Sequence, residues 1–271
     1  MKINIVIILF LIYFVLTMPK IINRKDLSDF DGRYYAHRGL HNNKSSAPEN
    51  SLKAFKVAVE HDYGIELDVQ ITKDDIPIVF HDANLKRVCN VDIDIRDITF
   101  AELQKIKLFD SNEHIPLFTD VLGVIGGKVP VIIELKSRVT DIKICDIVAP
   151  ILDGYHGVYC VESFNPLIVH WYKKTRPQVI RGQLSTNYLK DKVKNDRILN
   201  FLMQNLMFNF LTKPDFIAFN HAYSNMLSFN ICRKVYKVPT FAYTINSIED
   251  LIKRKDKFDY FIFEGFEPGR Q

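Results

Sequence analysis

The sequence is short of several features, and each shortage removes a class of protein. Its four cysteines, Cys89, Cys145, Cys160 and Cys232, are scattered, with no CxxC pair and no metal-type spacing. That pattern argues against a disulfide framework and a thiolate metal site, and predicts reduced, buried thiols. The formal net charge is only +4, acids and bases are interspersed, and no basic stripe stands out. Nucleic acid is therefore not an expected partner, and the bias towards small anions is mild. No internal repeat or low-complexity linker breaks the chain beyond residue 31. No glycine-rich turn follows the first strand-like run, so an open, doubly wound nucleotide-binding sheet is the weaker of two α/β readings.

What is present divides into two parts. Residues 3–18 are almost unbroken Ile, Leu, Val and Phe, interrupted by Asn4, Tyr13 and Thr17 and ended by Pro19-Lys20. Such a run is at the low end for a spanning helix and long for a signal peptide, and no small-x-small cleavage site follows it. The expectation is an uncleaved single-pass anchor over residues 1–19, touching the membrane through residues 3–18, with a juxtamembrane linker over 20–30. Lys2 stands against Lys20, Arg24 and Lys25, which leans towards a cytoplasmic catalytic domain.

The remaining 31–271 are long enough for one large α/β domain. Strand-like runs fall at 34–38, 65–69, 129–135, 158–164, 179–184, 215–219, 240–244 and 260–264. Helical patterns lie between most of them, at 51–61, 141–152, 166–175 and 247–254. Strands alternating with helices predict a closed (β/α)8 TIM barrel. A further strand-like run, 76–80, is separated from the second strand by a short polar turn at Lys73-Asp74-Asp75. A parallel return would need a dozen or more residues, so this run is an antiparallel hairpin partner. With Asp74-Asp75 as a two-residue loop, Asp68 faces His81.

The chemistry concentrates between His37 and Asp82. Glu66 and Asp68 alternate onto one face of the second strand, as do Glu134 and Lys136 at the third, and the ends of barrel strands are where active sites gather. Charge facing into a barrel is costly unless it serves a metal or a substrate. Glu66, Asp68 and Glu134, with no paired histidine ligand, suit a hard divalent cation, Ca²⁺ or Mg²⁺, rather than zinc. His37 and His81 flank these carboxylates as acid–base candidates, with Arg38 and Lys136 as phosphate-binding candidates. The six other histidines are read as structural. Glu49, in Pro48-Glu49-Asn50-Ser51, is read as helix initiation, with Asn50 or Ser51 as the cap. A capping box of Thr99 and Glu102 opens a helix over 98–108. The apolar stretch 200–211 has helical spacing and is read as core packing, with a lipid-facing or dimer-forming helix as the alternative.

The ordered set His37-Arg38-Gly39, Pro48-Glu49-Asn50, Glu66-Leu67-Asp68-Val69, Val79-Phe80-His81-Asp82 and Ile133-Glu134-Leu135-Lys136 resembles the glycerophosphodiester phosphodiesterase family, over residues 33–268. The resemblance implies the same barrel, a small lobe inserted over residues 83–118, and a divalent cation at Glu66, Asp68 and Glu134. It implies metal-dependent hydrolysis of glycerophosphodiesters to sn-glycerol 3-phosphate and an alcohol, with His37 and His81 exchanging protons. The attacking group proposed for the family is the glycerol 2-hydroxyl. Where most members carry Trp-Thr, this chain has Tyr243-Thr244, which keeps an aromatic wall beside the substrate. Its last strand leads into Glu264-Gly265-Phe266-Glu267-Pro268 in place of the usual Asp- or Thr-containing turn. Two alternatives accompany this reading: a lysophospholipase D or phospholipase C-like diesterase acting on lysolipids or membrane lipids, and a non-catalytic phosphodiester-binding protein. The oligomeric state is not legible.

Overall fold

Period-two alternation of apolar and polar residues builds the central sheet. The structure, a computed structural model, describes residues 2–137, 140–194 and 196–269. Its strands are β1 (Tyr35–His37), β2 (Gly64–Ile71), β3 (Pro77–Val79), β4 (Val131–Leu135), β5 (Tyr159–Ser163), β6 (Ile180–Ser185), β7 (Phe216–Asn220), β8 (Thr240–Ile245) and β9 (Tyr260–Phe263). All but β3 pair in parallel, and the β1–β2 and β1–β9 pairings close them into an eight-stranded TIM barrel.

Outward positions such as Ile65, Leu67, Val69, Val131 and Ile133 join the helices in one apolar layer. Inward positions in the lower barrel form a second cluster, including Tyr35, Ile132, Phe216, Phe241 and Tyr260. Glycine makes room for these rings. A Cβ on Gly64 would lie 2.4 Å from the Tyr35 ring, and one on Gly182 would lie 2.1 Å from Phe216. Two strands thus give up side chains so that neighbouring aromatics can fill the interior.

The hairpin differs from its expected register by one residue. Val69 pairs with Val79 and Ile71 with Pro77, and Thr72 N–H donates to Ile76 O at 3.1 Å. Three residues, Lys73-Asp74-Asp75, make the loop, and Asp75 takes a left-handed conformation (φ 61°). An αL residue closing a three-residue turn is a common hairpin solution that aspartate tolerates. The Phe80 N–H, not His81, bonds to Asp68 O, at 2.9 Å.

After β3 the chain forms a small lobe with its own core of Phe80, Leu85, Val88, Ile95, Leu103 and Ile115. The Thr99–Glu102 capping box forms, but its helix covers only Phe100–Leu103. The four cysteines are free thiols, three buried and Cys89 partly so.

The N-terminal segment corrects an expectation. It folds as a helix, Lys2–Thr17, of 16 residues. At ~1.5 Å per residue this is roughly 24 Å, against a hydrocarbon core of about 30 Å. Among the described residues no helix is long and apolar enough to cross a membrane. The single-pass anchor, its membrane contact through residues 3–18 and the leaning towards a cytoplasmic catalytic domain that depended on it are therefore not supported. The last turns of the helix are instead bound to the barrel. Tyr13 Oη donates to Asn205 Oδ1 at 3.1 Å, Tyr236 Oη to Phe14 O at 2.7 Å, and Asn209 Nδ2 to Thr17 O at 3.0 Å. The stretch 20–30, expected as a linker, is also fixed in place. Lys20 and Lys25 reach the buried Asp215 at 3.2 and 3.4 Å, and Leu27 and Phe30 join the lower barrel core.

The stretch 200–211 is not one helix. It spans the end of a helix over Arg197–Gln204 and most of another over Asn209–Thr212, with Leu206 left-handed (φ 54°) between them. Asn200 and Gln204 face inward, while Ile198 and Phe201 are exposed.

Candidate active site

The strand registers bring the carboxylates together. His37 is level with Glu66 across β1–β2, Asp68 with Glu134 across β2–β4, and Glu134 with Glu162 across β4–β5. These side chains occupy the upper interior, two residues beyond the apolar ones that fill the lower barrel. Each carboxylate is buried. Such a cluster is unfavourable unless cations compensate it.

Ligand oxygens of Glu66, Asp68 and Glu134 lie within 4.8 Å of one another. Burial, reinforced by the neighbouring acids, raises the Glu66 carboxyl well above its ordinary value and raises Glu134 as well. Burial would do the same to Asp68, but Lys136, His81 and Arg38 outweigh it and hold that carboxyl low. Lys136 Nζ sits 2.7 Å from Glu134 Oε1 and 3.0 Å from Asp68 Oδ1, yet Asp68 Oδ1 receives no directional hydrogen bond. Glu162 Oε2 is likewise buried without a donor, and burial beside Glu134 raises its carboxyl. An all-oxygen set with unsatisfied lone pairs fits a hard divalent cation.

Each candidate acid–base histidine has a carboxylate behind it. His37 Nδ1 lies 2.6 Å from Glu264 Oε2, and His81 Nδ1 lies 2.6 Å from Asp82 Oδ1. With Nδ1–H donated to the carboxylate, Nε2 of each ring is the atom left to accept or give a proton. Burial lowers the His37 imidazole despite the opposing pull of Glu264, which favours the neutral ring. Glu264 is held far below the usual carboxylate range by the hydrogen bond from His37 and then by the neighbouring His41, whose Nε2 lies 3.4 Å from Oε1 without making a directional hydrogen bond. Arg87 holds Asp82 through Nε at 2.6 Å and Nη2 at 3.0 Å. Gln70 Nε2 donates to Phe80 O and Asp82 O, each at 2.8 Å, which anchors the loop carrying His81.

The Pro-Glu-Asn-Ser turn does more than start a helix. Ser51 caps the helix Leu52–Glu60 by accepting from Ala54 N. Glu49, by contrast, takes Arg38 Nη1 at 2.7 Å and both Arg87 Nη atoms at 2.7 and 2.8 Å. It aims the Arg38 guanidinium across the mouth; the expected role at the helix start is not its main one. Asn50 Nδ2 donates to Asp68 Oδ2 at 2.9 Å. Arg38 Nε, 3.4 Å from Asp68 Oδ2, makes no hydrogen bond of its own and remains an unused donor. Gly39 (φ 81°) lets the chain turn here, since a Cβ would meet Ala54 C at 2.9 Å. Across the mouth, Tyr243 Oη donates to Ser185 O at 2.7 Å and its ring meets Phe164 edge-on at 6.0 Å.

The sequence profile of the glycerophosphoryl diester phosphodiesterase family matches residues 37–256, most of the chain. The chain belongs to that family. Among its relatives, a glycerophosphodiester phosphodiesterase of Caldanaerobacter subterraneus is 39% identical over 112 residues, 38% of this chain and 45% of that protein. YhdW of Bacillus subtilis, a candidate enzyme of the same name, is 32% identical over 57% of this chain and 70% of its own length. A phosphodiesterase of Oleispira antarctica, solved with the product sn-glycerol 3-phosphate, superposes with a TM-score of 0.68 at 21% identity, over 85% of this chain and 92% of that one. The glycerophosphodiester phosphodiesterase of Thermotoga maritima gives 0.64 at 25% identity, over 85% and 94%. The family depends on a divalent metal, in keeping with the carboxylate cluster here.

Every residue singled out in the sequence, His37, Arg38, Glu66, Asp68, His81, Glu134, Lys136 and Tyr243, lies at this end of the barrel. The sequence reading passed over Glu162 and Glu264, and Asp82 and Arg87 with them. Glu162 alternates inward on a predicted strand, so the cost of inward charge that singled out Glu66 should have marked it too. Glu264 closes the last predicted strand, but only the closed barrel brings it beside His37.

Proposed function

We propose that the chain hydrolyses glycerophosphodiesters to sn-glycerol 3-phosphate and an alcohol, with His37 and His81 as the proton-transfer pair. The observation that carries this reading is the pairing of two carboxylate-backed histidines with one buried acidic cluster. Glu66, Asp68 and Glu134 are the proposed ligands of a divalent cation, which when bound would supply Lewis-acid polarisation of a phosphoryl oxygen. Ca²⁺ and Mg²⁺ both suit oxygen donors, and the experiment below separates them.

The protein's own groups account for the rest. His37, neutral and held by Glu264 through Nδ1, accepts at Nε2 the proton of the attacking hydroxyl. If the attacker is the glycerol 2-hydroxyl, the step is intramolecular and gains the corresponding advantage in effective molarity. His81 gives a proton to the leaving alcohol, and Asp82 behind it compensates the charge that His81 carries before transfer. Arg38, through its unused Nε, and Lys136 balance the phosphoryl charge. Tyr243 forms an aromatic wall beside the bound diester. Attack by the 2-hydroxyl would expel the alcohol and leave a cyclic glycerol phosphate, which water then opens to glycerol 3-phosphate with the two histidines exchanging roles.

The full chain, incubated with glycerophosphocholine and Ca²⁺, Mg²⁺ or EDTA, tests this directly. Glycerol 3-phosphate should accumulate with one or both metals and stop with EDTA. No glycerol 3-phosphate under any metal condition would overturn the reading. Full-length protein is needed because residues 20–30 pack onto the barrel.

A further inference from the structure

The two carboxylates that stand behind His37 and His81 are held by unlike means. Behind His81, Asp82 accepts two hydrogen bonds from Arg87, which Glu49 holds in turn. Behind His37, Glu264 has no arginine or lysine within ion-pair distance among the described residues. Its carboxylate has two partners there, His37 at Oε2 and His41 at Oε1, 2.6 and 3.4 Å away. Glu264 follows β9 directly, precedes Gly265 (φ 79°), and borders an open polar cavity of about 850 Å³ shared with Asn42, Lys44, Ser45 and Glu267. A carboxylate so placed can turn towards solvent unless its second oxygen is held.

His41 is placed to hold it. Its side chain is 7% exposed, and neither ring nitrogen has a hydrogen-bond partner. Burying an imidazole with both nitrogens unpaired is unfavourable, and such a group in a native fold needs a reason. The loop that carries the ring is fixed on both sides. Leu40 N–H donates to Ala54 O at 3.1 Å and Asn42 N–H to Ala47 O at 2.9 Å, while the Asn43 side chain exchanges two hydrogen bonds with Glu49. A rigid turn therefore presents the ring to Glu264, and a proton on Nε2 needs only a small movement to reach Oε1.

We propose that His41 is a positioning residue for His37 and acts through Glu264: it holds Oε1 so that Oε2 stays on His37 Nδ1. This rests on the reaction and on the role of His37 proposed above. His41 does on the His37 side what Arg87 does on the His81 side, with one difference. Unlike a guanidinium, an imidazole can hold a carboxylate while neutral, which leaves the full charge of Glu264 to stabilise His37 once that ring has taken a proton. His41 makes no contact with substrate in this scheme, so its contribution belongs to the chemical step and not to binding. The ring is thus more than the structural histidine that the sequence suggests.

The test is a double-mutant cycle on the full chain with glycerophosphocholine, comparing the parent, His41→Leu, Glu264→Ala and the double variant. His41→Leu, which keeps an apolar side chain in the buried position, should lower kcat roughly 5–20-fold and leave KM unchanged. In the Glu264→Ala background the same substitution should change kcat by less than about twofold, because the group it acts through is gone. His41→Gln, which keeps an N–H donor, should recover most of the loss. A general loss from looser packing would appear in both backgrounds alike and cannot imitate the coupling. Equal factors in the two backgrounds, a loss confined to KM, an unchanged kcat in His41→Leu, or no recovery with His41→Gln would each overturn the role. Turnover by the parent with any of these results sinks only this inference, whereas no turnover by the parent sinks the underlying reaction.

Discussion

The lower and upper halves of the barrel interior come from the same strands and differ in kind. Below, Phe241 stacks on Tyr260 with centroids 4.3 Å apart and meets Phe216 at 4.7 Å, and these rings form an apolar plug. Above, the interior holds Glu66, Asp68, Glu134 and Glu162 against Arg38 and Lys136. The change takes one step of two residues: Tyr35 to His37, Ile132 to Glu134, Cys160 to Glu162, Phe241 to Tyr243. The lower half contributes stability through burial. The upper half costs stability, because desolvated like charges repel, and retains that cost as chemistry.

Four substitutions would break or sharpen this contrast. The largest effect is expected at His81→Ala, with kcat for glycerophosphocholine falling ~10²–10⁴-fold, about 3–5 kcal/mol of barrier. The thermal midpoint should hold, because His81 is not part of the packed plug. A parallel loss of stability would show that the upper half also packs the fold. In the lower half, Phe216→Ala should cost about 3–5 kcal/mol in urea denaturation while kcat per folded molecule persists. Loss of turnover without loss of stability would reverse the assignment of the two halves.

A smaller effect separates the supporting ion pairs from both halves. Burial tends to raise the Glu49 carboxyl, but Arg87 and Arg38 overcome it and hold it at about 2, against an ordinary 4.5. A depressed carboxyl stabilises the fold above its unfolded value and loses that contribution as pH falls from about 4.5 towards 2. The contribution is at most about 3 kcal/mol. Denaturation of Glu49→Gln across that window should show a flatter pH dependence than the parent; identical slopes would mean the pairs are energetically neutral. The smallest effect is expected at Glu264→Gln, which keeps a hydrogen-bond acceptor behind His37 but removes its charge. A loss of roughly 10–100-fold in kcat is expected, by analogy with other supporting partners of functional histidines, with KM and stability little changed. A KM effect alone would instead make Glu264 a wall of the polar cavity.

Much of this site was legible before folding, for a specific reason. Glu66 and Asp68, like Glu134 and Lys136, stand two apart on short apolar runs, and that period alone puts each pair on one face of a strand. The hairpin register was not legible, because nothing local distinguishes a two-residue turn from a three-residue one closed by a left-handed Asp75. Arg87 was not legible as the partner of Glu49 and Asp82 either, since the three meet only when the small lobe folds back over the mouth. The N-terminal run was misread for a related reason. Composition described an apolar helix, but its 16 residues and its bonds to Asn205, Asn209 and Tyr236 depend on the barrel surface beneath it.

The sequence by itself determined the alternation of strands and helices, the inward carboxylates and the two histidines, because these follow from periods of two and 3.6 along a single chain. Tertiary structure alone decided that Glu264 stands behind His37, that Arg87 holds Glu49, and that an apolar cleft opens beside Ser137. Those relations join residues dozens to hundreds of positions apart. They exist only because barrel closure places β9 against β1 and puts all the strand ends on one face.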